Sequence, residues 1–254
     1  MDSRIIFKTE DRVGKLIFNN PSKLNSFDFE MIQELNKILD RIKNSSLKAV
    51  VITGTGHSFC TGGDISWELE AGKIPKAEAK KQINFVQKTF SKIESLPQII
   101  IALINGYAIG GGNELAMACD IRIALESAKF VHPETSLGTV APLGATKRLP
   151  RLIGLGRAKY MLVTGKTIDS NKALEWGLVD FVVPEKKANS FINSLLADIT
   201  KKPGKALELT KKSVNRSYLK DLVDNFEVES YLECSRSKEN KKILEEFLKR
   251  KRLF

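Results

Sequence analysis

The segment Ile99–Asp120, IIIALINGYAIGGGNELAMACD, constrains this chain more than any other. A β-branched, apolar run from Ile99 to Ile104 stops at Asn105-Gly106. Three consecutive glycines, Gly110 to Gly112, lead into Asn113-Glu114-Leu115-Ala116-Met117-Ala118, a stretch of good helix formers. That order reads as buried strand, glycine-rich turn and helix. Glycine lets a ligand approach the backbone closely, and the first N–H groups of a helix have no partner within it. Such a turn can hold an anion, or an oxygen that becomes anionic during a reaction. Glu114 falls one turn inside the helix among apolar neighbours. It is either a helix-start glutamate favoured by the dipole or a carboxylate kept there for chemistry.

A second turn of the same kind favours chemistry. Leu47–Thr53, LKAVVIT, is another short apolar run, and it feeds Gly54-Thr55-Gly56-His57-Ser58-Phe59-Cys60-Thr61-Gly62-Gly63-Asp64-Ile65. Two strand-to-turn units could each place one backbone donor on a single oxygen, the arrangement an oxyanion hole requires. The segment Lys129-Phe130-Val131-His132-Pro133-Glu134 then brings a second carboxylate twenty positions after Glu114. Burial and like-charge proximity separate the pKa values of such a pair, which suits acid and base roles.

Short strands alternate with helical stretches up to about Pro184, which predicts an α/β core with largely parallel pairing and strands covered on both faces. Residues 4–18 read as two strands around a polar turn. Phe27–Ile42 reads as an amphipathic helix, and residues 67–96 as Lys- and Glu-rich helical material anchored by Trp67, Leu69, Phe85, Val86 and Phe90. After Lys186 the pattern is almost wholly helical, broken at Pro203-Gly204. Within Lys241–Arg252, Ile243, Leu244, Phe247 and Leu248 form one apolar stripe that must pack on something.

With 254 residues the chain can bury one good-sized core. Three cysteines, Cys60, Cys119 and Cys234, do not make a disulfide framework and fit a reducing compartment. The start, MDSRIIFKTEDR, has no apolar signal-like core and no run reaches transmembrane length, so a cytoplasmic protein is expected. Neither His57 nor His132 lies in a metal-ligand pattern, and no GxSxG elbow, Walker A loop or dinucleotide fingerprint is present. Cys60, beside the second turn, has no basic partner and reads as a small buried hydrophobe. The net charge is +11, and residues 201–254 hold 15 basic against 9 acidic residues. Solvated helix faces account for this excess, and a basic rim would also attract a phosphate-bearing ligand. RNA binding is an alternative of a different class, but no RNP, zinc-knuckle or helix-turn-helix pattern accompanies the charge.

These motifs resemble the crotonase, or enoyl-CoA hydratase/isomerase, superfamily, from about Val13 to Phe254. SFCTGGDI is similar to the family's first oxyanion motif, whose donor is the residue before the aspartate, here Gly63. NGYAIGGGNELAMACD is similar to the second, whose middle glycine donates, here Gly111. Glu114 and Glu134 fall at the positions of the paired catalytic glutamates. Arg148-Leu149-Pro150-Arg151, Leu162-Val163-Thr164-Gly165, Ala173–Val179 and Val183-Pro184 match downstream punctuation in order.

The resemblance implies a spiral of ββα units over residues 1–186 and a helical oligomerisation region over 187–254, assembling a trimer or a dimer of trimers. It implies hydration of a 2-enoyl-CoA to a 3-hydroxyacyl-CoA. In that reaction Glu114 handles the water and Glu134 handles C2, while Gly63 and Gly111 bind the thioester oxygen. Lys23, Leu24, Thr61, Gly63, Asp64, Ile65 and Gly111 become candidate contacts to substrate and coenzyme A. Phe247 and Arg250 match terminal positions through which a neighbouring subunit touches coenzyme A. No cofactor or metal is implied, because coenzyme A arrives as part of the substrate. The alternatives within the resemblance are a 3,2-enoyl-CoA isomerase, which relies on a single carboxylate at the Glu134 position, and a basic RNA-binding homologue. One departure stands out. Family hydratases carry a Pro-Gly-x-Gly-Gly-Thr type of turn, and this chain has Ala141-Pro142-Leu143-Gly144-Ala145-Thr146. Pro142 therefore replaces a glycine whose N–H helps hold the catalytic water, and proline has no N–H to give.

Overall fold

The computed structural model of the chain describes residues 3–215 and 225–251. The chain opens with an antiparallel hairpin of β1 (Ile5–Glu10) and β2 (Val13–Phe18), the two strands expected from residues 4–18. Helix α1 (Phe29–Lys43) follows. Asp28 caps it by accepting from the Met31 N–H, and the face formed by Met31, Ile32, Leu35, Ile38, Leu39 and Ile42 is buried.

From there the backbone winds repeatedly between two sheets. Strand β3 (Ala49–Gly54) joins β2 in parallel, and β4 (Ser58–Cys60) starts a second sheet before α2 (Ile65–Ala71) and α3 (Lys76–Ser95). The next turn is β5 (Ile99–Ile104), β6 (Tyr107–Ile109) and α4 (Gly111–Met117). The one after it is β7 (Ile121–Leu125), β8 (Lys129–Val131), a short 3-10 turn at Glu134–Leu137, α5 (Ala145–Ile153) and α6 (Leu155–Thr164). Then come β9 (Ile168–Asp169), α7 (Ser170–Trp176) and β10 (Phe181–Val183). The large sheet runs β1-β2-β3-β5-β7-β10 and the small one β4-β6-β8-β9. Each pair β3/β4, β5/β6 and β7/β8 thus gives one strand to each sheet, which is the expected ββα repetition. It also stacks the ends of β4, β6 and β8 side by side, so the turns that follow them become neighbours.

The continuous apolar runs are explained by cover on both faces of the large sheet. Val50, Ile52, Ile100, Ala102 and Ala124 face the main core with α1 and α3, in which Val86 and Phe90 are fully buried. Val51, Ile101, Ile123 and Val183 face the opposite side. There α8 (Ala188–Thr200) contributes Ala188 and Ile192.

The remaining helices are α9 (Gly204–Asn215), α10 (Asn225–Ser235) and α11 (Lys238–Lys251). Lys211 of α9 is buried and pairs with Asp120 at 2.7 Å. Val228, Tyr231 and Leu232 of α10 are buried in the main core, and α10 packs on α3. The expected stripe on α11 turns inward against its own chain. Leu244 is buried, Phe247 and Leu248 line an internal cavity, and the helix packs on α2 and the Glu134–Leu137 turn. Leu244 is the buried member of the stripe, and Ile243, Phe247 and Leu248 stay partly exposed. Among the described residues, no helix is long and apolar enough to cross a membrane.

Candidate active site

The two glycine turns meet at one place because β4 and β6 are parallel neighbours. Gly62 adopts φ 82, and a β-carbon there would lie 2.9 Å from the Gly111 nitrogen and 2.9 Å from the Ile109 oxygen. A β-carbon on Gly111 would meet the Phe27 ring at 2.9 Å. Side chains cannot be accommodated where the turns press together. The Phe27 N–H donates to the Gly62 carbonyl at 2.9 Å, and the Asp64 N–H donates to the Phe27 carbonyl at 2.8 Å. Gly63, held between these bonds, donates to no described acceptor, and neither does Gly111 at the start of α4. Both border a cavity of about 550 Å³.

Glu114 and Glu134 line the same cavity. Glu114 is fully buried, and its Oε1 accepts from the backbone N–H groups of Leu143 and Ala145, both at 2.8 Å. These donors come from the loop containing Pro142. Arg148 holds that loop by donating to the Leu143 carbonyl at 2.8 Å while pairing with Glu94 at 2.7 Å. Pro142 also lines the cavity, and its carbonyl accepts from Gln87 Nε2 at 2.5 Å. Glu134 leaves β8 through the 3-10 turn. Its Oε1 lies 3.4 Å from His132 Nδ1, and its Oε2 has no hydrogen-bond partner among the described residues.

The other residues expected at the site are partly gathered there. Lys23, Leu24, Thr61, Asp64, Ile65 and Phe247 all line the cavity. Lys23 Nζ pairs with Asp64 Oδ2 at 2.7 Å. Burial works to raise the Asp64 carboxyl, but the Lys23 bond and the Ser66 N–H outweigh it and hold the group below its ordinary range. Leu24 sits in the left-handed region at φ 52, and its carbonyl accepts from Ser58 Oγ at 2.6 Å and Thr61 Oγ1 at 3.2 Å. Phe247 lines the cavity of its own chain. The side chain of Arg250, and Arg252 at the end of the expected stripe, lie outside the described residues. Cys60 is fully buried and its thiol is pushed up to about 12 by burial, which suits the small hydrophobe expected and not a thiolate.

Two further functional candidates join these, of which only the second escaped the sequence reading. His132 is fully buried behind the cavity, bridging Asn113 and Glu134. The Asn113 amide nitrogen lies 3.1 Å from Nε2, and Nδ1 faces Glu134 on the other side of the ring. Its position just past the end of β8 and two residues before Glu134 was the available signal, since residues that close in sequence stay close in space. The second is Glu68 of α2, which also lines the cavity. A β-carbon on Gly63 would lie 2.5 Å from Glu68 Oε1, so this carboxyl covers the turn at Gly62-Gly63. Burial raises the Glu68 pKa to about 8, helped by the charges of Glu134 and Asp64. In sequence Glu68 looks like its surface neighbour Glu70, and nothing in the spacing separates them.

This layout has close counterparts. The family model for enoyl-CoA hydratase/isomerase matches residues 8–253. The chain is 34% identical to the short-chain-enoyl-CoA hydratase of Clostridium acetobutylicum, over 99% of this chain and 97% of that protein. It is 32% identical to the crotonyl-CoA hydratase of Syntrophomonas wolfei, over 98% and 96%. Among solved structures, the enoyl-CoA hydratase from Bacillus halodurans superposes with a TM-score of 0.90 at 26% identity, covering 96% of this chain and 99% of that one. That from Bacillus anthracis gives 0.80 at 32% identity, covering 98% and 97%. The chain belongs to the enoyl-CoA hydratase/isomerase family.

Proposed function

We propose that this protein is an enoyl-CoA hydratase, adding water to a 2-enoyl-CoA to give a 3-hydroxyacyl-CoA. The observation that carries the reading is that Glu114 and Glu134 line one cavity with both glycine turns. The thioester carbonyl oxygen would accept from the N–H groups of Gly63 and Gly111. This polarises the conjugated system and makes C3 electrophilic. Glu114, its carboxylate oriented by Leu143 and Ala145, takes a proton from water as the water oxygen bonds to C3. The π electrons move toward the thioester oxygen, where the two N–H donors stabilise the enolate. Glu134, positioned by His132, delivers a proton to C2 as the enolate collapses. The net change is H at C2 and OH at C3.

The residues of this chain supply every step, and coenzyme A enters with the substrate. Lys23 is the exposed cation at the cavity edge suited to its phosphates, and Arg250 is the second candidate on sequence grounds. The assembly in this reading is a trimer or a dimer of trimers, and the exposed Leu155 and Val163 of α6 are apolar surface available to it.

A panel of 2-enoyl- and 3-enoyl-CoA thioesters with product identification tests the proposal. Formation of 3-hydroxyacyl-CoA supports it. Double-bond migration without hydration replaces it with the isomerase reading, and no turnover on chains of about four to sixteen carbons ends it.

A further inference from the structure

The proposed hydration uses two carboxylates, yet the cavity holds a third. Glu68 Oε1 lies over Gly63, and the side chain is partly buried on the cavity wall. No described residue hydrogen-bonds this carboxyl, while Asp64 is paired with Lys23 and Glu114 is held by backbone donors. Its other neighbours give it little. Glu134 and Asp64 face it with like charge, and the buried Tyr231 of α10 is raised mainly by burial and further by the charge of Glu68. The cavity they share also presents the apolar side chains of Phe27, Ile83, Trp67 and Leu143. A plain hydrocarbon chain lying against this group would strip its water and offer no hydrogen bond in return, a costly outcome for a polar group.

We propose that Glu68 is a specificity-determining residue, selecting acyl chains that carry a neutral hydrogen-bonding group, a hydroxyl or an oxo oxygen, close to the thioester. This rests on the enoyl-CoA reading of the same cavity. The position follows from Gly63. Its N–H is the proposed carbonyl donor, so a carboxyl lying over it meets the first few carbons of the acyl chain and not a distant tail. The neutral character follows from the surroundings. An acidic acyl group would meet the carboxyl groups of Glu114 and Glu134, and an ammonium group would have to lose its water beside Phe27, Ile83, Trp67 and Leu143. Raised to about 8 by burial and by Glu134 and Asp64, the Glu68 carboxyl keeps its proton near neutrality and can both donate to and accept from such a group. A site built to hydrogen-bond a substrate hydroxyl discriminates strongly against the analogue that lacks it.

The test compares crotonyl-CoA with 4-hydroxybut-2-enoyl-CoA in the wild-type protein, Glu68→Leu and Glu68→Gln. The expected wild-type kcat/KM is at least about 10-fold higher for the hydroxylated substrate, a modest part of what a hydroxyl-binding site can deliver. Glu68→Leu should reverse that order, and Glu68→Gln, which keeps neutral donor and acceptor atoms, should retain it. An unchanged substrate ratio in Glu68→Leu overturns the proposal. Calorimetric binding of 4-hydroxybutyryl-CoA against butyryl-CoA reads the same preference without turnover. If no enoyl-CoA is hydrated, the functional reading fails alone. Equal binding of the two saturated thioesters by wild type then rejects the role of Glu68, and tighter binding of the hydroxylated one, lost in Glu68→Leu, supports it.

Discussion

The β-carbon that Gly112 lacks would sit 1.9 Å from the carbonyl oxygen of Cys60. Helix α4 is thus seated directly on the backbone of β4, and the two glycine turns share one rigid base. Gly112→Ala should cost about 3 kcal/mol or more, the upper end of overpacking penalties, because the obstacle is backbone and cannot rotate away. Urea unfolding measures this, with Gly156→Ala as the control. Gly156 lies in α6 with open space at its β-carbon, and alanine there should be neutral or slightly stabilising. Equal midpoints for the two variants would show that the turns are not packed as described.

Glu114→Gln and Glu134→Gln should each lower kcat by roughly 10²-fold or more, the scale of a positioned acid or base. The glutamine at position 114 still offers an oxygen to the Leu143 and Ala145 N–H groups, so the fold and binding of a saturated acyl-CoA should survive. A Glu114→Gln protein that hydrates at the wild-type rate removes the two-carboxylate mechanism.

Pro142 supplies no N–H to the cavity it lines. The wild-type protein should therefore hydrate crotonyl-CoA well below the diffusional ceiling of about 10⁸ M⁻¹s⁻¹. Pro142→Gly should raise that rate several-fold, at a stability cost of about 1 kcal/mol from the freer unfolded chain. Steady-state kinetics decide the matter. A wild-type rate already at the ceiling means that the proline imposes no handicap.

Native protein treated with iodoacetamide at pH 8 should retain full activity. Cys60 and Cys119 are buried, and each thiol is pushed up to about 12, Cys60 by burial and Cys119 by burial and then by Asp120. Mass spectrometry should find Cys234 as the labelled position before unfolding and all three cysteines after it. Loss of activity that follows labelling of Cys60 would restore a role for the thiol.

Glu68 ties stability to pH. Unfolded, its carboxyl titrates in the ordinary range near 4.5; folded, it titrates at about 8. Between those values the folded state holds a proton that the unfolded chain has released. The stabilisation is therefore complete below the unfolded value and is lost as pH rises toward 8. Glu68→Gln removes this titration, so the variant should gain on wild type as pH rises from about 5 to 8. Allowing for partial access of water to the side chain, the gain is on the order of 2 kcal/mol. Thermal melts across that range measure it, and parallel curves for the two proteins would place the Glu68 titration elsewhere.

The strand-turn-helix order at Ile99–Asp120, the paired glycine turns and the spacing of Glu114 and Glu134 were legible because they are local. β-Branched runs, consecutive glycines and helix formers act over a few residues, and their order along the chain fixes the ββα repetition. The sequence alone therefore determined the α/β class, both turns and the two glutamates. Tertiary structure decided what depends on contacts between distant segments. His132 gained Asn113 of α4 as its second partner only when the end of β8 met that helix. The α11 stripe met α2 and the Glu134 turn of its own chain, where Leu244 is buried. Glu68 differs from Glu70 only in which side of a two-turn helix meets the cavity, and that is set by how α2 lies against Gly63 and α10. Long-range packing, by partly burying one carboxyl and leaving the other exposed, gave two chemically identical residues different properties.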